Sequence, residues 1–192
     1  MTMGNNMMGA DNQQERLDVE WIVGFIDGEG CFHVGFNYQP KMSTKWQVMP
    51  ELRIVQHKND EQILVKLQSF FGFGKVAVNN GDRKELRVRR LEDLGKIVNF
   101  FKQYPLQTKK QHSFEKFAEI VSMMQQKKHL TREGLAEIAE LALQMNKRKN
   151  TSASRILRDY TPDAPKGEDI VRPLQRCRED SRNDWPAFER RS

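Results

Sequence analysis

The run Trp21-Ile22-Val23-Gly24-Phe25-Ile26-Asp27-Gly28-Glu29-Gly30-Cys31-Phe32 constrains this chain more than any other feature. Its apolar residues Trp21, Ile22, Phe25 and Ile26 follow helical spacing. Two glycines nevertheless lie inside it, and each costs about 1 kcal/mol relative to alanine in a helix interior. Gly24 and Gly28 stand one turn apart on the same face, forming a flat strip that another backbone can approach closely. Gly30 then stops the helix, and the residues after it alternate as a strand does. Two carboxylates, Asp27 and Glu29, are thereby delivered to the helix C-terminus. That end bears partial negative charge and unpaired carbonyls, so acids placed there repel one another unless a cation joins them. The same residues would also make a plain helix-to-strand turn with solvated acids, because Asp and Gly are common in turns.

The pattern of the remaining chain sets this helix in an α+β domain. The first helix is expected from Leu17 to Gly28 and the first strand from Cys31 to Gln39, with Phe32, Val34, Phe36 and Tyr38 on one face. After a turn from Pro40 to Lys45, a second strand runs from Trp46 to Gln56 and aligns Val48, Pro50, Leu52 and Ile54 with that apolar face. Pro50 has no N–H for a ladder and predicts an edge or a bulge. Ile63, Leu64, Leu67, Phe70 and Phe71 recur at helical spacing up to Gly72. Lys75 to Asn79 and Arg83 to Arg89 then read as a hairpin with Val76, Val78, Leu86 and Val88 inward. Helices are expected at 91–103, 112–127 and 131–145, the last started by Thr131. The order helix, two strands, helix, two strands, helices predicts one four-stranded antiparallel sheet backed by helices.

Composition narrows the classes. At 192 residues the chain is long enough for a real core, and 32 Lys+Arg against 26 Asp+Glu leave a net charge of +6, compatible with nucleic acid. Cys31 and Cys177 lie too far apart to give metal-ligand spacing, and no apolar run is long enough to span a bilayer. Residues 1–15, rich in Met, Asn and Gln, read as a disordered leader and not as a signal peptide, which predicts a protein that is not secreted and works where it is made, in a bacterial cytoplasm or an organelle. The domain is expected over 16–146. Residues 147–192, with 12 Lys+Arg and 8 Asp+Glu, read as a basic tail, loose or partly helical.

The strands present a second face that is anything but apolar. His33, Asn37, Gln39, Gln47, Glu51, Arg53, Lys75, Asn79, Glu85, Arg87 and Arg89 all fall on it. A half-covered antiparallel sheet turns its polar side to water, which accounts for the alternation alone. The residue types add more: Arg and Lys suit guanine edges, Asn and Gln suit adenine, and Glu accepts from cytosine. A ribbon of strands enters the major groove, and such a mixture of donors and acceptors favours reading of bases over attraction to phosphate.

Ile22-Val23-Gly24-Phe25-Ile26-Asp27-Gly28-Glu29-Gly30 resembles the signature of the LAGLIDADG homing endonucleases, matching at the glycines and at both acids. The resemblance covers about residues 17–145, in motif, element order and the later segment Pro105-Leu106-Gln107-Thr108-Lys109-Lys110. It implies strands that recognise DNA and a site-specific, metal-dependent double-strand endonuclease, encoded within an intron, that leaves a staggered break. By this resemblance Glu29 binds the metal, Gly28 adds its backbone carbonyl, and Asp27 ranks lower as a structural acid. Many relatives have aspartate where Glu29 stands. Gln56 matches a polar residue that orders water, and Lys109 the active-site lysine. A second basic residue of some relatives has no counterpart: Asp60 aligns there, with Lys58 as the nearest substitute.

Mg²⁺ is the implied cofactor, with Mn²⁺ or Ca²⁺ able to take the same site, since hard oxygen ligands with few protein contacts fit it. The sequence holds one copy of the motif, too few acids for two cuts. A homodimer packed through Gly24, Phe25 and Gly28 would bring two copies of Glu29 together on a long pseudo-palindromic duplex. Two other functions stay open on the same fold: a non-cleaving DNA-binding regulator, and a maturase that binds intron RNA.

Overall fold

The computed structural model describes residues 17–145 and 150–160. Residues 1–15 and most of the basic segment after Lys147 lie outside the described residues.

Helix α1 spans Val19–Glu29, opened by Asp18, whose side chain accepts from the Glu20 N–H at 3.3 Å. It therefore starts and ends slightly later than its apolar spacing predicts. It passes without a loop into β1, Gly30–Tyr38. Gly30 has an ordinary backbone conformation, and proximity is what restricts the position. A Cβ there would sit 2.6 Å from Ile26 Cγ2 and 2.7 Å from the Ile26 carbonyl oxygen. Then come β2 (Trp46–His57), α2 (Glu61–Phe71), β3 (Lys75–Val78) and β4 (Arg83–Val88). The chain finishes in α3 (Leu91–Gln103), α4 (Lys110–Gln125), α5 (Arg132–Met145) and α6 (Thr151–Tyr160). Thr131 caps α5, its hydroxyl accepting from the Gly134 N–H at 3.1 Å.

The strands form one antiparallel sheet in the order β1-β2-β4-β3. Gly30 pairs with Ile54 and Tyr38 with Trp46, with no residue skipped between them, so Pro50 makes no bulge. β4 meets β2 only from Leu52 onward, so at Pro50 the strand has a neighbour on one side alone. This is a local edge, where the missing N–H is tolerated.

One face of the sheet packs on the helices. Phe32, Val34, Phe36, Val48, Leu52, Ile54, Leu86 and Val88 are buried there with Ile22 and Ile26 of α1. The Phe32 ring meets those of Phe101, Phe114 and Phe117 at 5.2–5.8 Å. Each such fully buried aromatic contributes about 2–3 kcal/mol. Val78, expected inward, is 62 % exposed, because it ends the short edge strand β3.

The basic segment after Lys147 contains α6, which packs on α5 and on β1. The Asn150 side chain donates to the Val34 carbonyl at 3.1 Å, and Tyr160 Oη to the Thr44 carbonyl at 2.6 Å. The Arg155 guanidinium lies over the Tyr38 and Trp46 rings. Together these contacts tie α6 to the β1–β2 hairpin.

Candidate active site and nucleic-acid interface

At the C-terminal end of α1 the two acids of the motif have different surroundings. Asp27 is buried, and both its oxygens are taken. Oδ2 accepts from the Gln107 N–H at 2.8 Å and the Thr108 N–H at 2.9 Å, and Oδ1 accepts from the Thr108 hydroxyl at 2.6 Å. Burying a carboxylate is costly without such donors. The side chain thus anchors the loop before α4 to the end of α1. Glu29, the last helical residue, is exposed.

Thr108 also accepts from the Lys110 N–H at 3.2 Å, so the residue that binds Asp27 opens α4 as well. Lys110 then reaches back. Its Nζ donates to the carbonyls of Ile26 and Gly28, each at 3.1 Å. An ammonium suits the negative end of a helix. Burial lowers the Lys110 pKa below the ordinary lysine range, opposed by the nearby charges of Asp27, Cys31 and Glu29. Lys109, the lysine expected from the motif, is exposed, and it is its neighbour that is bonded to the end of α1. The local pattern does not separate the two lysines, since the spacing predicts this helix only from residue 112, two residues after its observed start.

Asp27→Ala removes the acceptor of three hydrogen bonds and leaves two backbone N–H groups unpaired. We expect a loss of about 2–3 kcal/mol, read as a lower denaturation midpoint, with part of it recovered in Asp27→Asn, which keeps one acceptor oxygen.

Gln56 continues β2 two residues past the Gly30–Ile54 pair and shares the helix-facing side with Ile54. It borders a shallow hollow of about 400 Å³ with Phe25, Asn59, Asp60, Gln62, Ile63 and Lys66. Gln56 and the exposed flank of α1 therefore meet in one depression. Lys58 is paired with Asp82 at 2.6 Å on the surface, whereas Lys66, which the motif does not single out, lines the hollow. Among the described residues no group of three or more His, Cys, Asp or Glu stands close enough to hold a metal ion. One chain offers the Glu29 carboxylate and the Gly28 carbonyl, hard oxygen donors that fit Mg²⁺ as an incomplete set.

The same helix leaves a flank uncovered. Trp21 is 43 % exposed, its ring stacked on Phe25 at 4.8 Å, and a Cβ at Gly24 or Gly28 would meet nothing within 4 Å.

The residues expected to face DNA all lie on the open side of the sheet or at its margins, but they are not equally accessible. Gln47, Lys75 and Arg89 are exposed, and His33, Asn37, Gln39, Asn79, Arg53 and Arg87 are half-buried. Glu51 and Glu85 are buried, contrary to the expectation of free acceptors, because arginines lie over them. Burial lowers the His33 pKa, with Glu51 opposing and Arg53 adding to the shift. The imidazole is therefore neutral at pH 7 and able both to donate and to accept.

An antiparallel sheet with one charged face, backed by helices, thus lies beside an acid-ended glycine helix. The LAGLIDADG endonuclease model matches residues 22–121. The chain belongs to the LAGLIDADG endonuclease family. It is 29 % identical over 160 residues to "Probable intron-encoded endonuclease 3" of Neurospora crassa, a match spanning 82 % of this chain and 29 % of that protein. A second Neurospora crassa protein, "Probable intron-encoded endonuclease 2", is 33 % identical over 68 % of this chain and again 29 % of its own length. The chain thus spans under a third of these relatives. Among solved structures, the homing endonuclease I-TnaI superposes with a TM-score of 0.73 at 48 % identity, over 76 % of this chain and 99 % of I-TnaI. I-SmaMI bound to cleaved DNA gives 0.72 at 30 % identity, over 83 % of this chain and 54 % of the other. I-SmaMI has also been solved on uncleaved target DNA with calcium ions, at 28 % identity, a TM-score of 0.72 and the same coverage. Among the described residues no helix is long and apolar enough to cross a membrane.

Proposed function

We propose that this chain is one protomer of a homodimeric, metal-dependent endonuclease that makes a staggered break in a long pseudo-palindromic DNA duplex. The observation that carries this reading is the bare flank of α1, with Trp21, Gly24 and Gly28 exposed and Phe25 half-buried beside an exposed Glu29. A second copy packed there covers the apolar surface and brings a second Glu29 to the same place, completing the donor set that one chain lacks. Coverage of about half of I-SmaMI and nearly all of I-TnaI supports a unit that works in pairs.

In this reading Glu29 would hold Mg²⁺, with the Gly28 carbonyl, which also accepts from Lys110, as a second oxygen donor; the ion would supply neutralisation of phosphate charge and a more acidic water. Gln56 orients that water from the strand end. Lys110, already at the carbonyls of Ile26 and Gly28, places a cation next to the scissile phosphate. Asp27 keeps the loop that carries this lysine in register with the helix. The polar strand face lies along the duplex, and intron location, as in the curated relatives, would put the target at the joined flanking sequences.

The test is cleavage of a plasmid bearing those joined sequences, with Mg²⁺ and with EDTA. We expect cutting at one site, only with the metal. Specific binding without cutting would assign the chain to the regulators, and preference for the intron transcript to the maturases. Gly24→Leu separates the dimer from the fold. The side chain enters open space within the protomer and gains up to about 1 kcal/mol of helix propensity, so the chain should fold as well as the parent. Sedimentation should then report a monomer, and cleavage should be lost with it.

A further inference from the structure

Away from the end of α1, the open face of the sheet carries an ionic cluster with no counterpart in the glycine–acid motif. Arg53 on β2 stands directly opposite Arg87 on β4, and Arg87 opposite Lys75 on β3. Three cations therefore form a row across three strands, where like charges opposite one another destabilise a sheet. Two carboxylates offset them, one from each neighbouring row. Glu51 is 5 % exposed and Glu85 is 4 % exposed. Arg53 donates from Nε and Nη2 to Glu85 Oε2 at 3.3 and 3.1 Å, and Arg87 Nη2 pairs with Glu85 Oε1. Arg89 Nε donates to Glu51 Oε2 at 2.7 Å, while Arg53 Nε and Arg87 Nε each lie 3.8 Å from a Glu51 oxygen. Arg87 Nε is buried and has no hydrogen-bond acceptor among the described residues.

Buried ion pairs are poor sources of stability, because desolvation offsets the Coulomb gain. What they supply is geometry. Two glutamates offset two of the four cations of the cluster, Arg53, Arg87, Arg89 and Lys75, so much of the arginine charge is engaged within the protein. The Arg53 and Arg87 side chains keep 28 % and 29 % of their surface accessible, so each is held in place by its carboxylate and still partly open to solvent. A fixed guanidinium fork matches the O6 and N7 acceptors of guanine in the major groove.

We propose that Glu51 and Glu85 are positioning residues that preform Arg53 and Arg87 as guanine readers, and that neither glutamate contacts a base itself. The row runs through Cys31, which pairs with Arg53 and follows Glu29 by two residues. The bases it reads are therefore those nearest the cleavage sites, whereas Asn37 and Gln47, paired near the other end of β1, face the outer part of each half-site. This rests on the reading of the sheet as the DNA-binding face.

The experiment is selection of the full chain on a randomised duplex library, with calcium in place of magnesium to retain uncut DNA. The parent should enrich guanine at inner positions of each half-site by about tenfold or more. Glu85→Gln should lose that preference, keep the preferences at outer positions, and bind random duplex more tightly because a negative charge is gone. Arg53→Lys keeps the charge without the fork and should lose the same preference. Glu51→Gln, which removes the charge that faces Arg53 Nε and Arg87 Nε at 3.8 Å, supplies an independent arm if Glu85→Gln does not fold. An unchanged inner profile in the glutamate variants overturns the proposal. So does loss in Glu85→Gln with full preference retained in Arg53→Lys, which would make the glutamate a reader of cytosine. Absence of any duplex preference in the parent would instead overturn the DNA-binding reading on which it stands.

Discussion

Glu29→Gln is expected to abolish cleavage of duplex DNA while leaving binding to that duplex within a few-fold of the parent. The substitution keeps the length and shape of the side chain and removes only the charge. Glu29 is exposed at the last turn of α1, so no buried partner is orphaned and the fold should melt where the parent does. The loss in rate should be about a thousandfold or more, since metal-ion stabilisation supplies several kcal/mol and about 1.4 kcal/mol is a factor of ten. Cleavage and gel-shift assays on one labelled target separate the two effects. A fully active Glu29→Gln enzyme would remove the glycine–acid motif from the chemistry altogether.

Lys110→Met should lower the cleavage rate by about a hundredfold, whereas Lys109→Met should leave it near that of the parent. The two lysines are neighbours in the chain and differ in what they reach. Lys110 Nζ is bonded to two carbonyls at the end of α1, and Lys109 is exposed at the start of α4. Lys110→Arg is informative as a third arm, because it keeps the positive charge but cannot place a compact ammonium between two carbonyls. Single-turnover rates on the same target decide the matter. Equal loss in the two methionine variants would mean that the loop acts through its net charge and not through a directed contact.

Much of the architecture was legible because its periods are clean. Alternation in β1 and β2 put Phe32, Val34, Leu52 and Ile54 on one face, and the hairpin letters Asn80-Gly81 closed β3 on β4. Pro50 announced an edge, and the extra length of β2 beyond β4 supplied one. Faces are a local property of the chain, but cover is not. Alternation puts Glu51 and Glu85 on the open side correctly, yet their burial comes from arginines two residues away and on the adjacent strand, which no one-dimensional pattern contains. The difference between Lys109 and Lys110 is of the same kind. It depends on where α4 begins, and that is set by Thr108 meeting Asp27 from across the fold. The docking of α6 on the β1–β2 hairpin likewise depends on Asn150 and Tyr160 finding carbonyls 116 residues earlier.

The clamp at Asp27 joins residues 80 and 81 positions apart. A contact of that span forms only after a long loop has closed, and it carries Lys110 with it. All four strands lie before residue 89, yet the Phe32 ring rests on Phe114 and Phe117, beyond Lys110 in the chain. The helix that covers the sheet is therefore the one that carries the clamp and its lysine, so the strand face and the end of α1 share a single support.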